Sequence, residues 1–135
     1  MKALDTPVLL DLLTGHEHAT KRVRSLESEE LCTSEVNMFE LESLARRGPP
    51  KGRDRRLATL ERLRRKLTVL PVDGRAVAAA ALLAERGSEG VSASTLLMLG
   101  TITASGCQEL ITRKDHGLPA VEGLKMTPYD RKRTK

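Results

Sequence analysis

The chain has 135 residues and carries 23 Lys and Arg against 18 Asp and Glu, a formal charge of +5. That is the length of one domain with room for a proper core. With one Phe, one Tyr and no Trp, the core must be built from Leu, Val and Ala, and recognition of single strands by stacking bases on aromatic rings is disfavoured.

In chain order, Lys2 to Asp5 reads as a first strand, which puts Asp5 at the strand's C-terminal tip beside a helix N-terminus. Ligands bind at that place in open α/β sheets. Thr6 to Thr14 reads as the first helix: Thr6 can cap it, Pro7 suits the first helical position, and Gly15 can end it. Two roles stand open for Asp5, a ligand site at a strand end or mere help in capping that helix. His16 to Ser28 is a polar helix or helical turn with a thin apolar stripe of Ala19, Val23 and Leu26. Leu31-Cys32-Thr33 is a short second strand. Ser34 caps a third helix that runs to about Arg47, where Gly48-Pro49-Pro50 stops it.

Gly52 to Asp54 opens a fourth helix, with Leu57, Leu60, Leu63 and Leu67 along one side and arginines along the other. Leu67 to Val72 is the third strand. Asp73 caps an Ala-rich helix from Gly74 to Arg86, which Gly87 terminates. Val91 to Thr95 leads into a helix from Leu96 to Ser105, ended by Gly106, and Glu109 to Thr112 is the fourth strand. After a loop carrying Asp115, His116 and Gly117, Val121 to Met126 adds a short last strand. Strands alternating with helices indicate βαβ units and an α/β fold. The expected architecture is a three-layer sandwich, a four- to five-stranded, mostly parallel sheet with helices on both faces. Residues 1–126 form one domain, and 127–135 form a basic C-terminal tail.

Charge is concentrated. Between Arg46 and Lys66 ten Lys and Arg face only Asp54 and Glu61, a local +8 that leaves the rest of the chain at −3. Such an excess draws polyanions through its long-range field, and a solvated helix face is the alternative. No run of eighteen apolar residues and no signal peptide is read, so no membrane partner is expected. Cys32 and Cys107 form no C-x-x-C pair, which fits simply packed thiols in a reducing cytoplasm. Several familiar constellations are missing. No G-x-G-x-x-G follows the first strand, and Gly100 and Gly106 precede Cys107-Gln108 where a P-loop needs Lys-Ser or Lys-Thr. His16 and His18 do not share a helix face, which argues against zinc. His116 stands alone, and no nucleophile sits at a strand-to-helix elbow.

Carboxylates at strand ends are the better lead. Asp5 ends the first strand and Asp115 follows the fourth within three residues. Glu40 lies inside the third helix between Val36 and Leu44 at i−4 and i+4, which turns it toward the sheet. There it would be a partly buried charge in need of a cation; the alternative is a head group left in solvent. Oxygen ligands without thiolate or imidazole suit Mg²⁺ or Mn²⁺.

Leu4-Asp5-Thr6-Pro7-Val8-Leu9-Leu10-Asp11-Leu12-Leu13 resembles the opening of PIN domains, most of all VapC-like toxins of prokaryotic toxin–antitoxin pairs. Thr33 to Leu41 is similar to their second block, which ends in Glu-Leu. Val91 to Gly100 matches the third block except for its acid, and Leu110 to His116 resembles the fourth. Gly123 to Met126 and Tyr129 are similar to the usual ending. The blocks come in the family's order along essentially the whole chain.

The resemblance implies a Mg²⁺-dependent endoribonuclease whose clustered acids hold the metal. Asp5 and Glu40 would be two of these acids. Thr95 stands where the third is expected and Lys114 where the fourth normally stands, with Asp115 one residue on. It also implies a homodimer and a small antitoxin protein as partner. Arg53, Arg55, Arg56, Arg64 and Arg65 are the expected contacts to the RNA backbone, which orient without reading sequence. A second outcome is a module of this fold that binds RNA or a partner protein without cleaving.

Overall fold

The computed structural model describes residues 1–26, 30–87 and 89–129. In chain order the elements are β1 (Lys2–Leu4), α1 (Thr6–Leu13), α2 (Glu17–Arg24), β2 (Leu31–Ser34), α3 (Glu35–Arg47), α4 (Arg53–Lys66), β3 (Thr68–Leu70), α5 (Gly74–Glu85), α6 (Ala93–Ala104), β4 (Glu109–Arg113) and β5 (Lys125–Tyr129). The five strands form one sheet in the order β3-β2-β1-β4-β5, and every pairing is parallel. The expected α/β sandwich is the observed fold.

Strand residues alternate between two cores, as the pleat requires. Ala3, Cys32, Leu70 and Leu110 face Met98, Leu99 and Ile102 of α6. Leu4 and Ile111 face Val8, Leu9, Leu41 and Leu60 of α1, α3 and α4. Covering both faces is what lets a parallel sheet form from such short apolar strands. The two helices of one face approach very closely: a Cβ on Gly100 would stand 2.6 Å from the Ala80 nitrogen and 2.7 Å from the Ala76 oxygen. Only glycine allows that backbone contact, and any side chain there would overpack the seam.

The chain runs from β1 outward through β2 to β3, then crosses to β4 on the other side of β1. The direction of winding therefore reverses between β1 and β4. Their C-terminal ends flank the crevice where open α/β sheets bind ligands.

Local chemistry departs from the sequence reading at four places. Asp5, not Thr6, is the N-cap of α1; its carboxylate accepts the Thr6 N–H at 2.9 Å, because Pro7 at the second helical position has no N–H to give. The helix after His16 stops at Arg24, and the expected end at Ser28 lies outside the described residues. The last strand is Lys125–Tyr129 rather than Val121–Met126: Val121 and Leu124 pair in a small bridge, Gly123 turns at φ +83°, and only then does the chain join β4. An edge strand tolerates Pro128, which lacks a donor. The expected boundary at residue 126 thus falls inside a strand, and of the expected basic tail residues 130–135 lie outside the described residues.

Fourth, the two cysteines do not stand apart. Both are buried, and their sulfurs lie 3.3 Å apart as free thiols sharing a hydrogen bond. That bond and burial push the Cys32 thiol well above the usual range. No helix among the described residues is long and apolar enough to cross a membrane.

Candidate active site

Asp5 is extended backbone between β1 and α1, and its own N–H donates to Ile111 O on β4 at 3.0 Å. The carboxylate is 1% exposed. Oδ1 accepts the Thr6 N–H at 2.9 Å, while Oδ2 accepts the Thr112 hydroxyl at 2.8 Å and meets His116 Nδ1 at 2.5 Å. A buried charge needs this degree of hydrogen bonding to be tolerated.

The bridge to the second acid is Thr6. Its hydroxyl donates to Glu40 Oε1 at 2.5 Å and accepts from Asn37 Nδ2 at 2.9 Å. Asn37 is fully buried, and its Oδ1 accepts both the Ser34 N–H at 3.1 Å and the Ser34 hydroxyl at 2.6 Å. Ser34 Oγ in turn accepts the Asn37 N–H at 3.2 Å, a capping box at the start of α3. The junctions β1–α1 and β2–α3 are therefore locked side by side. With its box closed, α3 presents Glu40 to Thr6 and not to open solvent.

The other expected acid is turned elsewhere. Asp115, 56% exposed, accepts from Arg113 Nε at 2.5 Å, and Arg113 also reaches the buried Asp11 at 3.4 Å. The Tyr129 hydroxyl donates to Asp11 at 2.6 Å, so this network ties α1 to β4 and β5. Thr95 sits in the first turn of α6, where its N–H and its Oγ1 both bond Ser92 Oγ, at 3.2 and 2.9 Å. Lys114 is exposed. Among the described residues no group of three His, Cys, Asp or Glu is placed to hold a metal ion. Asp5 and Glu40 are brought together, and Asp115 is not brought to them.

His116 takes the place nearest the pair. Its hydrogen bond to Asp5 raises its pKa above the ordinary imidazole value; burial opposes this, and the negative charges of Asp5 and Glu40 add to the rise. The imidazole at the mouth of the site is thus held in its protonated form to higher pH than a free one, with Asp5 as its direct partner.

The basic helix divides in two. Arg56 spends its guanidinium on backbone carbonyls: Ala45 O at 3.0 and 2.9 Å, Pro49 O at 2.7 Å and Lys51 O at 3.2 Å. It staples the α3–α4 turn. Arg64 forms a two-pronged pair with Glu35 at 2.7 and 2.9 Å, which lowers the Glu35 pKa. Arg53 is half-buried, while Arg55 and Arg65 are exposed. An apolar cleft of about 310 Å³ lies between α1, α3 and α4, lined by Leu10, Leu13, Leu41, Leu44 and Leu60. It contains none of the acids and is not where phosphate chemistry would occur.

Thr6 as bridge, Asn37, Thr112 and His116 were not singled out by sequence. Ser34-x-x-Asn37 has the spacing of a capping box, which could have flagged Asn37. Nothing local signals His116, whose partner is 111 positions away.

A family model described as PIN domain matches residues 2–124. No curated protein matches the sequence. Among solved structures, VapBC2 from Rickettsia felis bound to a DNA fragment from their promoter is similar with a TM-score of 0.79 at 13% identity, over 96% of this chain and 98% of that one. DNA-bound VapBC from Salmonella typhimurium gives 0.75 at 23% identity, over 96% and 97%. Mycobacterium tuberculosis VapC20, a sarcin-ricin loop cleaving toxin, gives 0.61 at 20% identity, over 82% and 87%.

Proposed function

The chain belongs to the PIN-domain family, and we propose that it is a VapC-like endoribonuclease that hydrolyses RNA phosphodiesters with Mg²⁺ or Mn²⁺ at Asp5 and Glu40. The observation that carries this reading is the Asp5–Thr6–Glu40 bridge in the crevice at the strand ends. The family resemblance implies a divalent metal. The residues fit one: both donors are hard carboxylates, and Mg²⁺ is often held by one or two carboxylates with water and phosphate oxygens completing its shell. When bound, the ion would supply a Lewis acid toward the phosphate oxygens.

The remaining work falls to the chain itself. Thr6 sets the separation of the two carboxylates, and Asn37 occupies its oxygen so that the hydroxyl proton points to Glu40. Thr112 anchors Asp5 to β4. In this reading Asp115 stays paired with Arg113 and leaves the ion to Asp5 and Glu40. Of the arginines, Arg55 and Arg65 are exposed and suited to hold the RNA backbone. The likeness to VapBC assemblies and to a toxin–antitoxin complex from Klebsiella pneumoniae supports the toxin role, with a second copy of the chain and a small antitoxin as partners.

The second reading is a module that binds RNA or a protein without cleaving. The Arg113–Asp115 pair and the hydroxyl of Thr95 in place of an acid favour it. Cleavage of a labelled single-stranded RNA in Mg²⁺ and in chelator, with Asp5→Asn as control, separates the two. The nuclease reading expects Mg²⁺-dependent cuts that Asp5→Asn abolishes. Retention of RNA with no cleavage at any Mg²⁺ concentration would favour the second reading.

A further inference from the structure

We propose that His116 gates the acid pair: its imidazole occupies a lone pair of Asp5 Oδ2, and a divalent cation binds this oxygen by displacing it. This rests on reading Asp5 and Glu40 as the cation site. A carboxylate oxygen has two acceptor positions. Oδ2 of Asp5 has both filled, by the Thr112 hydroxyl at 2.8 Å and by His116 Nδ1 at 2.5 Å, and Oδ1 already accepts the Thr6 N–H. Two of these three donors are built in. The Thr6 N–H belongs to the first turn of α1, and Thr112 is buried within β4.

His116 is of another kind. It lies in the turn after β4, is anchored there by its N–H to Arg113 O at 2.9 Å, and keeps its side chain 35% exposed. Gly117 beside it has open space where a Cβ would stand. Among the three donors on Asp5 the imidazole alone lies on a turn with its side chain partly in solvent, so it is the occupant a cation can replace with least disturbance of the fold. Oδ2 is therefore capped at rest by a side chain of its own turn, and uncapping it costs a single charge-assisted hydrogen bond.

The test is Mn²⁺ affinity, measured by calorimetry at one fixed pH, on wild type, His116→Ala, Asp5→Asn and the double variant. His116→Ala should bind about tenfold more tightly, the equivalent of one charge-assisted hydrogen bond, and Asp5→Asn should erase that gain. In wild type, Mg²⁺ should also shift the His116 ring resonances in step with binding. Equal or weaker binding by His116→Ala, while Asp5→Asn still abolishes binding, overturns the gate and leaves the acid-pair reading standing. Binding indifferent to Asp5→Asn overturns the acid pair, and the gate with it. No binding by His116→Ala at millimolar Mn²⁺ also overturns the gate, because removing the imidazole would have opened nothing.

Discussion

The two sides of the crevice are made differently. On the β1–β2 side, Asp5, Thr6, Ser34 and Asn37 are buried and bonded to one another, and Glu40 hangs from this network. On the β4–β5 side, Arg113, Lys114, Asp115 and His116 occupy a turn that is partly or fully exposed, and Asp115 pairs with its own neighbour Arg113. The difference teaches where a catalytic geometry can be stored. A strand-to-helix junction fixes a side chain through backbone it already needs for folding, whereas a turn must be held by whatever its side chains find. Members of the first side cannot be exchanged without leaving a partner unsatisfied. The second side can change composition at little cost, and here it presents Lys114 where the resemblance expects an acid.

Asn37→Ala should break the comparison most severely. It strips partners from Thr6 and from the Ser34 N–H in a buried network, at about 1–3 kcal/mol for each group left unsatisfied. Chemical denaturation should show a loss of about 3 kcal/mol, and RNA cleavage should fall with it because Glu40 loses its register. A loss below about 0.5 kcal/mol would mean that the two junctions are not locked together.

The same contrast runs through the arginines. Arg55→Ala with Arg65→Ala should lower the salt slope of RNA binding by about one for each phosphate contact removed. Arg56→Ala should instead destabilise the fold by about 1–2 kcal/mol through lost hydrogen bonds to carbonyls, with the salt slope unchanged. Breaking the Arg64–Glu35 pair should cost less than about 1 kcal/mol, since both side chains are well exposed.

A smaller effect is expected from pH. The folded-state pKa of His116 is raised by its bond to Asp5. The pair's contribution to stability is then fully present below the unfolded value of about 6.5 and fades as pH rises through the folded one. The Tm difference between wild type and His116→Ala should be largest near pH 6 and shrink toward pH 9. A difference that grows with pH would contradict the assigned pair.

Least of all should change in Asp115→Asn, with stability within about 0.5 kcal/mol of wild type and cleavage within about twofold. A loss of cleavage as large as that of Asp5→Asn would show that the turn swings and delivers Asp115 to the site during reaction.

Legibility followed the same division. Asp5 and Glu40 could be picked from sequence because a short apolar strand, a proline-led helix and an i±4 apolar frame are local patterns. The parallel sheet was legible for the same reason. Lys125–Tyr129 was not, since Pro128 and the turn at Gly123 matter only once β4 is there to pair with. Arg56 reads as one more solvated cation until the Gly48-Pro49-Pro50 turn brings three carbonyls within its reach. His116 stands alone in the sequence, and the fold supplies its partner, Asp5.

In the proposed reading Asp5 and Glu40 share one cation, and Mn²⁺ soaked into crystals would reveal it. An anomalous peak is expected about 2.1 Å from a carboxylate oxygen of each, with the His116 ring turned away. A peak at Asp115 that leaves Asp5 and Glu40 untouched, or no peak beside Asp5 in a protein that still cleaves RNA in Mn²⁺, would contradict it.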